Sequence, residues 1–386
     1  MRQRSDLPFG MSEYQERVGA LRSRMQSREL DAMLVTTPEN ICYLTGFDSA
    51  GHFAFQALVV PLSGEPFAFT RLLEASGIEA TTWVEHNPTY RDSDDAIIEL
   101  AKALAAFGLG SSRIGLERDC WFFTAAQQSK LLSACADATF VDASGTVEEG
   151  RLIKSEAEIT LMKEAARTAE AGLAAGIDAV THGATENDVA AEIHYAMIKA
   201  GGHWPALAPF VASGERGAVG HATWKDRTLR QGDAVFLEVG GSRHRYHAAL
   251  LRPAHLGEPQ QRTRRAFEVV QKAFEAATSA IRPGVPAGEI DRVARDIIAA
   301  SDFGGAQASR TAYSMGLALS PDWGEGHILS MKPGEKRPLA ANMTFHLLPW
   351  VQIPGQGGIG CSETIRITKS GRELLTRFPR ELFVKE

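Results

Sequence analysis

The sequence predicts a two-domain protein, in which a smaller α/β domain precedes a larger α+β domain that contains an internal repeat. The chain has 386 residues, more than a single hydrophobic core usually supports. Strand-like and helix-like patterns alternate over residues 1–150, which is typical of an α/β domain. After residue 150, one pattern of helix plus hairpin occurs twice, which indicates a duplicated domain.

The first region is interpreted from its hydrophobic periodicity and its turn residues. The predicted strands are 31–36, 53–61, 67–70, 113–116 and 139–141, and the predicted helices are 11–29, 96–107 and 125–132. Phe53, at the start of the second strand, is a candidate substrate contact. The alternative is a core position, since an aromatic residue on a strand is more often buried than bound to a ligand.

The boundary between the domains is predicted near Arg151, which gives domains 1–150 and 151–386. Ser155 and Glu158 have the spacing of a capping box, so a long helix is expected to begin there. Later helices are predicted to start after Thr185 and to span 262–281 and 287–300. Two polar, glycine-rich stretches, 203–227 and 314–327, are too long for routine connectors and are therefore candidate functional loops.

The duplication is visible in aligned segments. LRQGDAVFLEVG (229–240) aligns with LAANMTFHLLPW (339–350), and HGATENDVAAEI (182–193) aligns with PGVPAGEIDRVA (283–294). In the first hairpin, strands are predicted at 234–239 and 246–252, with 240–245 as the turn. Each half places one carboxylate on a strand, Glu238 in the first and Glu363 in the second. We therefore expect two halves that close around one site.

Composition excludes several classes of function. The net charge of −6 and the lack of a basic stripe argue against nucleic-acid binding. No apolar run approaches the roughly 18 residues of a membrane helix. The first residues lack the apolar core of a signal peptide, and the four scattered cysteines suit a reducing compartment. We expect a cytoplasmic protein with no membrane partner.

Three motifs carry a resemblance to a known family: RLIKSEAEITLMKEAA (151–166), GHATWKDRTLRQGD (220–233) and NMTF (342–345). They resemble the pita-bread, or peptidase M24-like, hydrolases, which include methionine aminopeptidase, prolidase and creatinase. The match covers roughly 151–370. The preceding domain is similar to the amino-terminal domain of the creatinase and prolidase branch. The resemblance implies a duplicated pita-bread domain that carries the catalytic site.

The metal-dependent members carry five ligands, and the resemblance places these at Glu238, Ala249, Tyr313, Leu348 and Glu363. Alanine and leucine cannot bind a metal ion, so we expect no dinuclear site and no cofactor. A single ion held by Glu238, Glu363 and a nearby histidine is the alternative. The pattern is more similar to the metal-independent members related to creatinase and ectoine hydrolase. Leu251, which precedes Arg252 where creatinase has a glutamate, argues against creatine as the substrate.

The resemblance assigns catalysis to three residues. His221, in the Gly-His-Ala motif, matches a histidine that transfers a proton between water and the leaving nitrogen. Without a metal ion, proximity of Glu238 and Glu363 would raise the pKa of one, leaving a protonated donor beside an ionised acceptor. Alternatively one of them acts as a nucleophile. The competing interpretation is a buried structural pair.

Further residues are candidate substrate contacts, with ordinary loop or core packing as the alternative for each. Tyr313 occupies a former ligand position, and His346 lies two residues before Leu348 on the same strand face. Trp323 and Glu325 lie in the PDWGEGH loop. Arg252 and Arg366 occupy equivalent positions in the repeat, which favours structural ion pairs.

The first hypothesis is a metal-independent hydrolase that cleaves a C–N bond of a small amidine, guanidine or cyclic amidine. The second is a dipeptidase or aminopeptidase of Xaa-Pro type with a degenerate metal site. The third is a non-catalytic binding module on the same fold. The resemblance also implies a homodimer, and the sequence itself does not name the substrate.

Overall fold

The computed structural model describes residues 1–304 and 309–386, which form two compact units, Met1–Arg151 and Leu152–Glu386. No helix in the described part of the chain combines the length and apolar character that crossing a membrane requires.

The first unit is built on one six-stranded mixed sheet. Its strands are β1 (Ala32–Val35), β2 (Ala57–Pro61), β3 (Phe67–Arg71), β4 (Thr89–Tyr90), β5 (Arg113–Leu116) and β6 (Thr139–Asp142), in the order β4-β3-β2-β1-β5-β6. Its helices are α1 (Met11–Ser27), α2 (Pro38–Thr45), α3 (Ala75–Thr81), α4 (Ala96–Ala106), α5 (Ala125–Ala134) and α6 (Glu148–Arg151). β1 pairs with β5 and β5 with β6 in parallel, which confirms the predicted α/β organisation.

One predicted strand in this unit is partly wrong. The strand predicted over 53–61 begins only at Ala57, because Ala50–Phe53 forms a 3₁₀ turn. Ser49 begins this turn, and its hydroxyl accepts the backbone N–H of Gly51. Phe53 is consequently 75% exposed rather than part of a sheet.

The second unit repeats one arrangement, two helices packed on a sheet. The first half contains α7 (Glu156–Ala179), α8 (Glu186–Lys199), β7 (Phe210–Ser213), β8 (Ala234–Arg243) and β9 (Tyr246–Leu256). The second half contains α9 (Gln261–Ala280), α10 (Ala287–Ala299), β10 (Ala312–Ser314), β11 (Ser330–Met331), β12 (Thr344–Leu347), β13 (Trp350–Ile353), β14 (Gly357–Gly360), β15 (Glu363–Ile367) and β16 (Arg372–Leu374), followed by β17 (Phe383–Lys385). Each half has its own apolar core between its helices and its sheet.

The helices of this unit begin where their caps predict. The hydroxyl of Ser155 accepts the backbone N–H of Glu158, and the Glu158 carboxylate accepts the backbone N–H of Ser155. Thr185 and Asp188 form the same reciprocal pair at the start of α8. These bonds satisfy backbone donors that the first helical turn leaves free.

The two hairpins differ in how their strands are joined. β8 continues to Arg243 and turns at His244 and Arg245, so the predicted turn over 240–245 is too long. Residues 240–243 remain in the strand. In the second half, β12 pairs with β15, and the separate hairpin β13–β14 lies between them in sequence. The sheet orders are β17-β9-β8-β7 and β11-β10-β12-β15-β16.

Candidate active site

A cavity of about 1010 Å³ opens within the second unit. Its wall is formed by β7, β8, the segment 217–223, the start of β10, and the segments 321–323 and 348–350. His221, Glu238, Tyr313 and Trp323 all line it. The structure therefore brings four of the predicted site residues to one cavity, from segments up to 102 positions apart in the sequence (221 to 323).

Glu238 is the buried carboxyl group of this cavity. It lies in the interior of β8, paired with Phe210 of β7 and Leu251 of β9, and is 6% exposed. Burial raises the pKa of Glu238 to about 8, and the nearby charge of Asp322 adds to the effect. Its carboxyl group is consequently protonated at neutral pH and can act as a hydrogen-bond donor.

Two glycines allow aromatic rings to approach this carboxyl group. A Cβ on Gly240, two residues from Glu238 on the same face of β8, would collide with the indole of Trp323. A Cβ on Gly324 would collide with the ring of Tyr313. The glycines in the sequence EVGG and DWGE thus let Trp323 and Tyr313 pack together beside the strand.

Tyr313 is the centre of a buried hydrogen-bond network. Its hydroxyl oxygen accepts the indole N–H of Trp323 at 2.9 Å and lies 2.8 Å from Nδ1 of His346. Nε2 of His346 lies 2.6 Å from the hydroxyl of Ser362. Because the indole can only donate, we assign the Tyr313 proton to the bond with Nδ1 and the imidazole proton to Nε2.

The electrostatics of the network favour neutral side chains. Burial, together with the charge of Arg310, lowers the pKa of His346 to about 3. Burial also raises the pKa of Tyr313 well above its usual range, with a contribution from Glu238. The imidazole and the phenol are therefore uncharged at neutral pH. They supply hydrogen bonds to the cavity rather than charge.

Glu363 does not share the cavity with Glu238, which corrects the expectation that both carboxylates face one pocket. Its Oε1 accepts from the guanidinium of Arg252, and its Oε2 accepts from the hydroxyl of Thr376. Arg252 is fully buried and donates to four backbone carbonyl groups as well. The carboxylate is thus held by a structural cation, as the repeat-equivalent arginines suggested.

Glu325 also lies outside the cavity wall. Its Oε2 is 2.6 Å from Nζ of Lys154, and both side chains are about 1% exposed. A buried ammonium and carboxylate stabilise each other only as a pair. The prediction that Glu325 contacts substrate is corrected on this geometry. The pair instead connects the start of α7 to the loop that carries Trp323.

His221 stands at the exposed side of the cavity wall. Its ring lies 5.6 Å from that of Phe210, and its backbone adopts a φ of 59°, in the left-handed region that non-glycine residues rarely enter. Such outliers often mark functional positions. Phe53, in contrast, belongs to the first unit, and its predicted role as a substrate contact stays a prediction.

Sequence reasoning missed several residues of the cavity. Asp322, Arg310, Lys332 and Phe210 line it together with the predicted set. Asp322 lies in the PDWGEGH segment that the sequence singles out, one residue before Trp323. Arg310 and Lys332 lie in no recognisable sequence motif. Arg310 precedes β10 and Lys332 follows β11, so the pairing of these two strands brings the two residues to the same side of the cavity.

The donor set does not fit the dinuclear metal site of the resembling enzymes. Ala249 and Leu348 supply no donor atom, and both oxygens of Glu363 are engaged by Arg252 and Thr376. Within 1–304 and 309–386, no three His, Cys, Asp or Glu side chains are grouped so that they could hold a metal ion. We therefore derive no step through a metal ion.

Comparison with known proteins defines the class. Residues 160–369 match metallopeptidase family M24, and residues 17–153 match the creatinase/prolidase N-terminal domain. The chain belongs to the M24 family and has its pita-bread fold, which confirms the predicted fold class. The family is one of hydrolases.

Individual proteins are similar to this chain over nearly its whole length. The chain is 32% identical to the ectoine hydrolase of Halomonas elongata over 401 residues, which covers 98% of this chain and 99% of that protein. The structure is similar to dipeptidase PepE from Mycobacterium ulcerans, with a TM-score of 0.83, 26% identity, and 97% and 99% of the two chains covered. It is also similar to the prolidase from Pyrococcus horikoshii, with a TM-score of 0.84, 25% identity, and 95% and 100% covered.

Proposed function

We propose that this protein is a metal-independent hydrolase that cleaves a C–N bond of a small amidine, guanidine or cyclic amidine. The observation that carries the proposal is the environment of Glu238. Its carboxyl group is buried and protonated at neutral pH. Ala249, Tyr313 and Leu348 occupy positions that the resemblance aligns with metal ligands of the metal-dependent members. The similarity to ectoine hydrolase supports the substrate class, because ectoine is a cyclic amidine.

The proposed reaction uses protein groups at each step. Amidines and guanidines are already protonated at neutral pH, so the substrate enters as an amidinium, and Glu238 releases its proton to solvent on binding. This places a carboxylate beside the cation, whose positive charge makes the amidine carbon electrophilic. His221 accepts a proton from water while the water oxygen bonds to that carbon. The C–N bond then breaks as His221 gives its proton to the leaving nitrogen and the hydroxyl proton of the intermediate passes to Glu238. This leaves the amide and the amine and restores both side chains.

The assay compares ectoine, creatine and Xaa-Pro dipeptides as substrates of the purified protein, before and after treatment with a chelator. We expect hydrolysis of the cyclic amidine at a rate that the chelator does not change. His221→Ala is expected to lower kcat at least about 100-fold, the usual contribution of general acid–base catalysis. Because His221 is exposed, the melting temperature should not change.

The matched control is His182→Ala, which removes another exposed imidazole from a loop outside the cavity wall. It should keep the activity of the wild type. Activity that survives His221→Ala, or turnover that the chelator abolishes, would contradict the proposal.

A second candidate is a dipeptidase of Xaa-Pro type, which the similarity to the dipeptidase and prolidase structures favours. Metal analysis separates the two. Stoichiometric Mn, Zn or Co in the purified protein, together with chelator-sensitive cleavage of Xaa-Pro dipeptides, would establish the peptidase and exclude the first proposal.

A further inference from the structure

The segment that carries His221 is closed at its base by one buried carboxylate. Glu186 is the first residue of α8 and is fully buried. Its Oε1 accepts the backbone N–H of Ser213 at 2.8 Å and the hydroxyl of the same residue at 2.7 Å. Its Oε2 accepts the backbone N–H of Lys225 at 2.9 Å. Both ends of the segment 213–225 are therefore bound to a single side chain.

Arg216 joins this carboxylate to the residues beside His221. Its Nη1 donates to Oε2 of Glu186, and its Nη2 donates to the backbone carbonyl oxygen of Thr223 at 2.6 Å. Thr223 lies two residues after His221. A guanidinium can make both bonds at once because its N–H donors are fixed in one plane, whereas the ammonium of a lysine is a compact charge without that fork.

The hydrogen bonds inside the segment continue from Arg216 towards His221. The carbonyl oxygen of Arg216 accepts the backbone N–H of Val219 at 3.0 Å, and that of Val219 accepts the N–H of Ala222 at 3.1 Å. His221 has a φ of 59°, and a left-handed non-glycine residue persists only where its surroundings impose that conformation. The bridge formed by Arg216 spans this residue and supplies the constraint.

The position of the imidazole matters because proton transfer requires hydrogen-bond reach. The ring of His221 lies at the cavity wall, 5.6 Å from the ring of Phe210. A displacement of about 1 Å of a catalytic group can lower a rate about 100-fold. Glu186 and Arg216 lie outside the cavity wall, so they act on the imidazole through the backbone of the segment 213–225.

We infer that Arg216, anchored by Glu186, is a positioning residue that holds the imidazole of His221 at the cavity wall. The consequence for catalysis rests on the proposed function, in which His221 transfers the proton. The hold on the imidazole is a property of the folded chain and can be measured without any substrate.

Arg216→Lys and Arg216→Ala separate positioning from folding. The lysine keeps a positive charge beside Glu186 and loses the fork that also reaches Thr223, so its melting temperature should stay close to that of the wild type. Amide hydrogen exchange within 214–225, measured on the full-length protein, should be about tenfold or more faster in both variants, the usual effect of losing a charge-assisted hydrogen bond. Exchange within α7 is the internal reference and should not change.

The imidazole itself is observed by NMR in protein labelled at histidine, with His221→Ala to assign its signal. In the wild type, the ring of Phe210 should shift the His221 signal away from that of an unfolded chain, and both variants should move it back towards that value. With ectoine as substrate, Arg216→Lys should lower kcat about tenfold and leave KM within a factor of about three, because the loss is one of geometry in proton transfer and not of binding.

Arg264→Lys is the matched control. Arg264 forms an ion pair with Glu258 in which both side chains are exposed, and it lies on α9 outside the cavity wall. The substitution should change neither the exchange within 214–225 nor the His221 signal, and kcat should stay that of the wild type.

The outcomes separate this inference from the proposed reaction. Unchanged exchange within 214–225, or an unchanged His221 signal, in Arg216→Lys overturns the inference, also where Arg216→Ala does not fold. So does an active enzyme whose kcat Arg216→Lys leaves unchanged, because Arg216 would then be a structural residue only. Faster exchange with a shifted His221 signal, in a protein that hydrolyses no amidine, supports the hold on His221 and overturns the proposed reaction.

Discussion

Nδ1 of His346 lies 3.8 Å from Oε1 of Glu238, yet the two side chains form no ion pair at neutral pH. Burial raises the pKa of Glu238 to about 8 and lowers that of His346 to about 3. Between these values the carboxyl group and the imidazole are both uncharged. The cavity therefore presents a buried acidic proton beside a neutral hydrogen-bond network, and its properties should depend on pH.

Glu238 should make the stability of the wild-type protein depend on pH. Its pKa rises from a usual value of 4.5 to about 8 on folding, so the folded protein keeps a proton that the unfolded chain releases. The contribution is fully present below about pH 4.5 and is lost as the pH rises to about 8. Glu238→Gln, which is neutral in both states, should lack this loss, amounting to a few kcal/mol.

Urea denaturation at intervals between pH 5 and pH 9 measures this difference. Glu215→Gln, at an exposed position of the 3₁₀ segment Gly214–Ala218, is the control and should follow the wild type. If the free energy of unfolding changes with pH in the same way for the wild type and Glu238→Gln, Glu238 is ionised in the folded protein.

Asp322→Asn should lower the pKa of Glu238, because the negative charge of Asp322 contributes to raising it. The asparagine retains the oxygen that accepts the backbone N–H of Gly324, so the loop should keep its conformation. The pH at which kcat/KM rises, as Glu238 ionises and can pair with the amidinium, should move to a lower value. An unchanged pH profile of kcat/KM would show that burial alone raises the pKa of Glu238.

Arg252→Met should destabilise the protein by about 3–5 kcal/mol, because it removes the cation in direct contact with the buried carboxylate of Glu363 and leaves only Arg380, 3.8 Å away. Arg366, the equivalent residue of the repeat, provides the comparison. Its partner Glu156 is 72% exposed, so Arg366→Met should cost about 1 kcal/mol or less. Urea denaturation at pH 7 measures both variants, and equal losses would contradict the structural role of the Arg252 pair.

Tyr313→Phe removes the hydroxyl that joins Trp323 to His346 and leaves the indole N–H and Nδ1 without this partner. Leaving buried polar groups unsatisfied should lower the free energy of unfolding by about 1–3 kcal/mol. Tyr195→Phe is the control, since Tyr195 is 62% exposed and should change stability little. A Tyr313→Phe protein as stable as the wild type would show that water replaces the hydroxyl.

Local signals predicted most of the helices. Ser155 with Glu158, and Thr185 with Asp188, mark helix starts because a hydroxyl and a carboxylate satisfy backbone donors within a few residues. Glycines misled the interpretation of the first hairpin. The sequence predicts Gly240 and Gly241 as turn residues, but they lie within β8, where rings and helix backbone approach too closely for a Cβ. That approach depends on residues far away in the sequence.

The candidate site was predictable in part for the same reason. A carboxylate in an apolar strand identified Glu238, and the repeat drew attention to Glu363. Whether each carboxyl group is ionised and paired depends on the residues that lie near it in space. Arg252 neutralises Glu363 and Lys154 neutralises Glu325, whereas Glu238 forms no ion pair with a lysine or arginine among the described residues and lies near the like charge of Asp322. Arg310 and Lys332 stood in no motif and entered the site only through the fold.

The sequence by itself determined the fold class, the repeat and the residues able to do chemistry, because periodicity, caps and residue type act over a few positions along the chain. Only the tertiary structure decided which acids are paired and which is protonated. Burial and Coulomb interaction depend on distances in space, and these join residues more than a hundred positions apart in the chain, such as Arg252 and Glu363.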